Sequence, residues 1–214
     1  MKLGEIKLEA LVLMSPNNEL MCDTTDDGEL RAKIKELAFD ANYSDLLVSM
    51  PGAINRCFSL LENRGVVPTR SHELDSKKGK KRGKHLLFNL EEIGDLGIID
   101  RVAYYTDFSD ISRCDYTQEG ASTILVEPRE GQYVVIYTPV VERISLITDD
   151  ARVIKLPEDV CSMIPYFIKS ELLRAENEKE AAVARNTFEG MISELACKRA
   201  GYQSAVESIF EVPK

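Results

Sequence analysis

Histidine is scarce in this chain of 214 residues: only His72 and His85 occur. They stand in neither HExxH nor HxH spacing, so they read as two exposed loop histidines rather than as a metal or catalytic pair. The chain also lacks a GxSxG elbow, a Walker loop and a GxGxxG turn after a strand. None of the five cysteines (Cys22, Cys57, Cys114, Cys161, Cys197) is in CxxC spacing, which argues against zinc. An odd count without a framework points to reduced thiols in a cytoplasmic setting, acting as small buried apolar residues. No run approaches the ~20 apolar residues of a membrane span. Glu5, Lys7 and Glu9 interrupt the apolar start where a signal peptide would carry its core. A soluble protein without membrane contact is therefore expected. Positive charge is in deficit as well: 27 Lys and Arg stand against 36 Asp and Glu, for a net charge of −9. Phosphate repels such a chain, so any nucleic-acid contact needs a local basic patch. An acidic surface also suits a passage through which DNA slides without sticking. With 36 acids present, no single carboxylate pair is informative. Catalytic, cofactor and metal residues are accordingly not assigned, and the expectation is a non-enzymatic protein with no cofactor.

What is present suffices for a packed core. Apolar residues make up 44% of the chain, enough for one domain, or for one domain carrying an insertion. Residues 1–65 read as helices. Leu3, Ile6, Leu8, Leu11, Val12 and Met14 have roughly helical spacing. Asp26 or Asp27 caps a second helix with a face of Leu30, Ile34, Leu37 and Ala38. A third carries Leu46, Leu47, Met50, Ile54, Cys57, Phe58 and Leu61 and stops at Asn63-Arg64-Gly65. Pro51 predicts a kink in it, or a start at Met50. Residues 66–155 change to short, β-branched, turn-rich segments. Strands are expected at residues 86–90, 98–105, 122–126, 132–138 and 144–147. Residues 156–200 return to helix. One helix is expected from Leu156-Pro157-Glu158-Asp159 through Leu172, then a turn at Asn177 and a second helix through Leu195. The fold class is α+β: a helical bundle formed from N- and C-terminal helices, with an inserted small antiparallel β-sheet or sandwich.

Two local features invite a functional reading. Residues 75–85 hold Lys77, Lys78, Lys80, Lys81, Arg82 and Lys84, with Gly79 and Gly83 between them. They read as a long hairpin loop touching DNA backbone or an acidic neighbouring subunit, or as a solvated mobile loop. No aromatic residue is interleaved, so base stacking is not expected, and nothing suggests base readout. Residues 201–214 form a C-terminal tail behind Gly201 that keeps Tyr202, Ile209, Phe210 and Val212. That many large apolar groups suit docking, on a partner or on the chain's own domain.

A resemblance rests on two segments. The first is Tyr43-Ser44-Asp45-Leu46-Leu47-Val48-Ser49-Met50-Pro51-Gly52-Ala53-Ile54-Asn55-Arg56-Cys57. The second opens with Lys155-Leu156-Pro157-Glu158-Asp159-Val160 and continues through Ile164-Pro165-Tyr166-Phe167-Ile168 to Glu171-Leu172. Glu180-Ala181-Ala182 and Ala184-Arg185-Asn186-Thr187-Phe188-Glu189 follow it. Together they resemble the head–tail adaptor (connector) proteins of tailed bacteriophages. Leu173-Arg174 stands where that family commonly has an aromatic, and the middle region is longer than in compact adaptors. The resemblance implies a ring of copies, usually twelve, beneath the portal, joining capsid to tail and continuing the DNA channel. It implies as partners the portal protein, a tail or tail-completion protein and further copies of the chain. It also implies that the tail residues reach the portal, that insertion loops face the tail or channel, and that the protein resides in the virion after assembly in the host cytoplasm. Two readings stand beside it. One is a small module binding nucleic acid non-specifically through Lys77–Lys84, and the other is a hydrolase using cysteine or histidine.

Overall fold

The fold is α+β in a computed structural model that describes residues 1–15, 20, 26–105 and 111–210, with side chains to Lys198 except that of Ile111. It divides into two compact units. Met1–Val66 and Arg143–Lys214 form a helical unit, and Val67–Glu142 forms a β unit. Among the described residues, no helix is long and apolar enough to cross a membrane.

The helical unit contains α1 (Leu3–Met14), α2 (Asp27–Ala38), α3 (Ser44–Asn63), α4 (Glu158–Cys161), α5 (Ile164–Leu172) and α6 (Glu178–Phe210). Helix α5 is central and packs on α1, α3 and α6. The three-and-four spacing puts Leu30, Ile34 and Leu37 of α2 inside, as it does Met50, Ile54, Cys57, Phe58 and Leu61 of α3. Ala38, expected on the buried face, is exposed at the last turn. The Asp26 carboxylate caps α2, accepting from Gly28 N at 2.8 Å and Glu29 N at 3.0 Å. Helix α3 begins at Ser44 and runs through Pro51, so the proline is not a start.

The expected single helix over 156–172 is two. Pro165 has no amide hydrogen and its ring crowds the carbonyl of the preceding turn, so α4 ends at Cys161 and α5 opens with Pro165 in its first turn. Asn177 then caps α6: its side-chain oxygen accepts from Glu180 N at 3.2 Å, and its amide donates to the Glu180 carboxylate at 2.9 Å. Phe167 and Phe188 meet edge-on across the α5–α6 hairpin at 5.1 Å. Helix α6 does not stop near Gly201 but continues to Phe210.

Residues 143–155, assigned by pattern to the insertion, belong to the helical unit. The strand expected at 144–147 is absent, and Leu146 to Thr148 form a turn. The Asn55 side chain holds this stretch by both its groups, donating to Ile144 O at 2.8 Å and accepting from Ile144 N at 2.9 Å. Further on it caps α1. Leu3 N donates to Arg152 O at 2.9 Å and Gly4 N to Asp150 O at 2.8 Å, which satisfies two amides that the first helical turn leaves open. Lys7, buried on α1, is ion-paired with Asp150 at 2.7 Å.

The β unit contains β1 (Arg70–Asp75), β2 (Lys80–Arg82), β3 (His85–Asn89), β4 (Leu96–Tyr105), β5 (Ile111–Cys114), β6 (Tyr116–Glu119), β7 (Thr123–Val126) and β8 (Gln132–Pro139). They form two antiparallel sheets, ordered β1-β8-β4-β5 and β2-β3-β7-β6. The inward residues of both sheets share one core, including Phe88, Val102, Ile124, Val126, Tyr133 and Val135. The sheets are continuous at both sides. Edge strand β5 becomes edge strand β6 across the single residue Asp115, and β1 becomes β2 through a 3-10 turn at Ser76–Lys78. Gly97 marks a bulge in β4 where the backbones of β4 and β8 touch. A Cβ there would sit 2.4 Å from Thr138 O.

Candidate functional site

The basic segment is not one long loop. It is the corner that carries β1 into β2, followed by a tight hairpin. The reason is local. The Asp75 carboxylate accepts from Lys77 N at 2.9 Å and so starts the 3-10 turn, which Gly79 N closes onto Ser76 O at 3.2 Å. Residues 80–82 then pair with 85–87. Gly83 takes φ +63° as the first of two central turn residues, the position a type II′ hairpin reserves for glycine. Gly79 and Gly83 each serve a particular backbone conformation. Gly79 lets the chain pass against the Phe88 ring, 3.0 Å from where a Cβ would stand.

The corner is anchored to the core through the turn at Pro128-Arg129-Glu130-Gly131, which the sequence marks only as a break between strands. Ser76 N donates to Gly131 O at 3.1 Å, and Gly131 N donates to Ser76 Oγ at 3.3 Å. The loop over 127–131 is held from below by two tyrosines. The Tyr133 hydroxyl, fully buried, donates to Glu127 O at 2.6 Å and accepts from Arg129 N at 2.7 Å. Tyr104 donates to Glu130 O, and the Arg129 guanidinium lies 5.4 Å over the Tyr104 ring. Burial pushes the Tyr133 hydroxyl above its ordinary value, so it remains a donor. The signal for these residues was the alternation Tyr133, Val135, Tyr137 in β8. Inward tyrosines need a partner for each hydroxyl, and a nearby turn can supply it.

All six cations of the segment are exposed. Arg82 is ion-paired with Glu119. Among the described residues, Lys77, Lys78, Lys80, Lys81 and Lys84 make no ion pair. Strand alternation puts Lys80 and Arg82 on one face of β2 and Lys81 on the other. Lys78 and Lys80 border a cleft of about 420 Å³ whose rim also carries Glu73, Asp75, Glu91 and Glu92. The chain's net charge is −9, and without these six cations it would be −15. The site is thus an isolated positive feature.

His72 and His85 lie on strands, not in a loop. His72 in β1 contacts the Glu92 carboxylate at 3.1 Å, while His85 pairs with Arg82 across the hairpin. Cys57, Cys114 and Cys161 are buried free thiols, and Cys197 is exposed. Burial pushes Cys57 far up and Cys161 up to about 11, so both are protonated at neutral pH. Cys22 lies outside the described residues. Among those that are described, no group of three or more His, Cys, Asp or Glu side chains could hold a metal. The Tyr202, Ile209 and Phe210 side chains, and all of Val212, also lie outside the described residues. No protein-family model matches the chain, and comparison with curated proteins finds no match.

Proposed function

We propose that this chain is a structural head–tail adaptor of a tailed bacteriophage. In this reading it is one subunit of a ring beneath the portal that joins capsid to tail and continues the DNA channel. One observation carries the reading beyond the resemblance itself. The two segments on which the resemblance rests are about 100 residues apart in the chain, yet they pack on each other as α3, α5 and α6. Arg56 of α3 is ion-paired with Glu171 of α5 at 3.0 Å. Arg185, in the second segment, pairs with Glu189 at 3.1 Å and lies over the rings of Phe167 and Phe188. The residues that carry the resemblance thus form one packing unit, which supports the reading.

The portal is the partner on one side, and a tail or tail-completion protein is the partner on the other. Further copies of the chain, twelve in the family it resembles, complete the ring. The end of α6 and the residues after it serve as the portal-binding tail, with Tyr202, Ile209, Phe210 and Val212 as its apolar groups. The protein then resides in the virion, at the head–tail interface.

Negative-stain imaging of this protein mixed with the portal protein of the same genome tests the proposal. The expected result is a new ring of density below the portal. An intact portal without added density sinks it. For the tail, removal of the residues after Gly201 is expected to abolish portal binding, and undiminished affinity of the shortened chain refutes that role.

A further inference from the structure

We propose that the β1–β2 corner and the β2–β3 hairpin form a site for the phosphodiester backbone of duplex nucleic acid, read without regard to sequence. This goes beyond the adaptor reading and does not depend on it. The site is Lys77, Lys78, Lys80, Lys81 and Lys84, with Arg82 already engaged by Glu119.

Three observations point this way. First, the five lysines are exposed and make no ion pair among the described residues, although acids outnumber bases in the chain by nine. They form the densest run of cations in the sequence, and none of the five is engaged by a carboxylate of the described residues, so all are open to an outside anion. Second, the site is held in shape. The Asp75 cap, the paired Ser76–Gly131 hydrogen bonds and the hairpin fix the backbone that carries the lysines. Binding therefore does not have to order a loop, which lowers its entropic cost. Third, the simplest competing account covers only part of the cluster. Lysine on an edge strand blocks unwanted strand pairing, and β2 is an edge. That explains Lys80 and Lys81. It does not explain Lys77 and Lys78 in the turn before the strand, or Lys84 in the turn after it.

The ligand follows from the chemistry. Duplex nucleic acid presents a negative charge about every 1.7 Å along its axis, which suits five cations spread over a corner and a hairpin. No aromatic residue lies among Ser76–His85, so a single strand finds no stacking platform. Lys78 and Lys80 share a cleft with the carboxylates of Glu73, Asp75, Glu91 and Glu92, whereas Lys77, Lys81 and Lys84 do not line it.

The test is fluorescence anisotropy of a labelled 20-base-pair duplex with the full chain, between 50 and 200 mM salt. Binding is expected at 50 mM, with log affinity falling against log salt at a slope of about −4. Replacing Lys77, Lys81 and Lys84 together by Gln should reduce that slope by about 3. A control with the same charge change, Lys35, Lys155 and Lys179 together to Gln, should leave it unchanged. All six positions are exposed, and circular dichroism of both variants verifies the fold. Absence of binding at 50 mM overturns the proposal, as does an equal loss in the two variants. Displacement of the duplex by polyglutamate at matched charge and equal potency also overturns it, because the site would then serve an acidic protein partner. Failure on any of these counts leaves the portal-ring experiment unaffected.

Discussion

At the residue scale, Tyr133 links the core of the β unit to its surface. Its ring packs against Phe88 and Tyr104 at 5.5 and 5.2 Å, and its hydroxyl is shared between Glu127 O and Arg129 N. Tyr133→Phe keeps the ring and strips both backbone groups of their partner. The expected cost is about 1–3 kcal/mol in urea unfolding. A variant as stable as the wild type would mean that the loop over 127–131 holds the corner without help from below. Gly97→Ala drives a methyl group against a carbonyl at 2.4 Å and should cost about 2 kcal/mol by the same measurement. An unchanged midpoint would show that β4 and β8 can separate at the bulge. The lysine cluster was legible in the sequence because charge is a property of each residue. The backbone shape that carries it was not, because that depends on Ser76 meeting Gly131, a contact no local pattern encodes.

At the scale of elements, the stretch over 149–154 acts as a clasp on α1 and α2. Arg31 grips Asp149 with two hydrogen bonds, Nε to Oδ1 at 2.7 Å and Nη2 to Oδ2 at 2.6 Å, and Ala151 N adds a third at 3.0 Å. Together they hold the Asp149 carboxyl down at about 2, against an ordinary value of 3.8. A carboxyl depressed in the fold contributes stability that is complete above its unfolded value and is lost as pH falls through its folded one. The stability gap between wild type and Arg31→Ala should therefore be widest above about pH 4 and close toward pH 2, which acid-series unfolding will measure. A gap independent of pH would remove Asp149 from the account. In the α5–α6 hairpin, Phe188→Ala empties a fully buried site and should cost about 3–5 kcal/mol by chemical denaturation. Helical faces were readable because spacing repeats along one element. The clasp was not, because it has no periodicity and its partners lie at the other end of the chain. The division of 156–172 was readable in principle, since Pro165 was visible, but the apolar spacing on either side of it suggested a single helix.

At the scale of the whole molecule, the sequence pattern announced helices, strands and helices again, and that order holds. Strands β3, β4, β7 and β8 were legible from β-branched runs and turn residues, whereas β1, β2, β5 and β6, which carry few apolar residues, were not. The path by which its sheets join at Asp115 and at Ser76–Lys78 was not, because strand order follows from long-range pairing. The helical unit draws its buried residues from both chain ends, among them Leu3, Ile6, Met50, Phe58, Ile164 and Phe188, and none of these belongs to the β unit. Arg143 is ion-paired with Glu62 at 2.6 Å, which keeps the two junctions close. Replacing residues 67–142 by a short Gly-Ser linker should therefore leave a cooperatively folding helical protein, read by far-ultraviolet circular dichroism. A shallow, non-cooperative melt would show that this core needs the insertion.

The same arrangement sets an order of events during synthesis. The β unit is contiguous in the chain, so it can close its core as soon as β8 has left the ribosome. Helix α1 cannot. Its packing partner α5 begins about 150 residues later. Until that helix emerges, the apolar faces of α1, α2 and α3 remain open to solvent while an already folded β unit hangs between them and the ribosome. The nascent chain is thus most exposed to premature association at α1, α2 and α3, and the emergence of α5 and α6 is what relieves it.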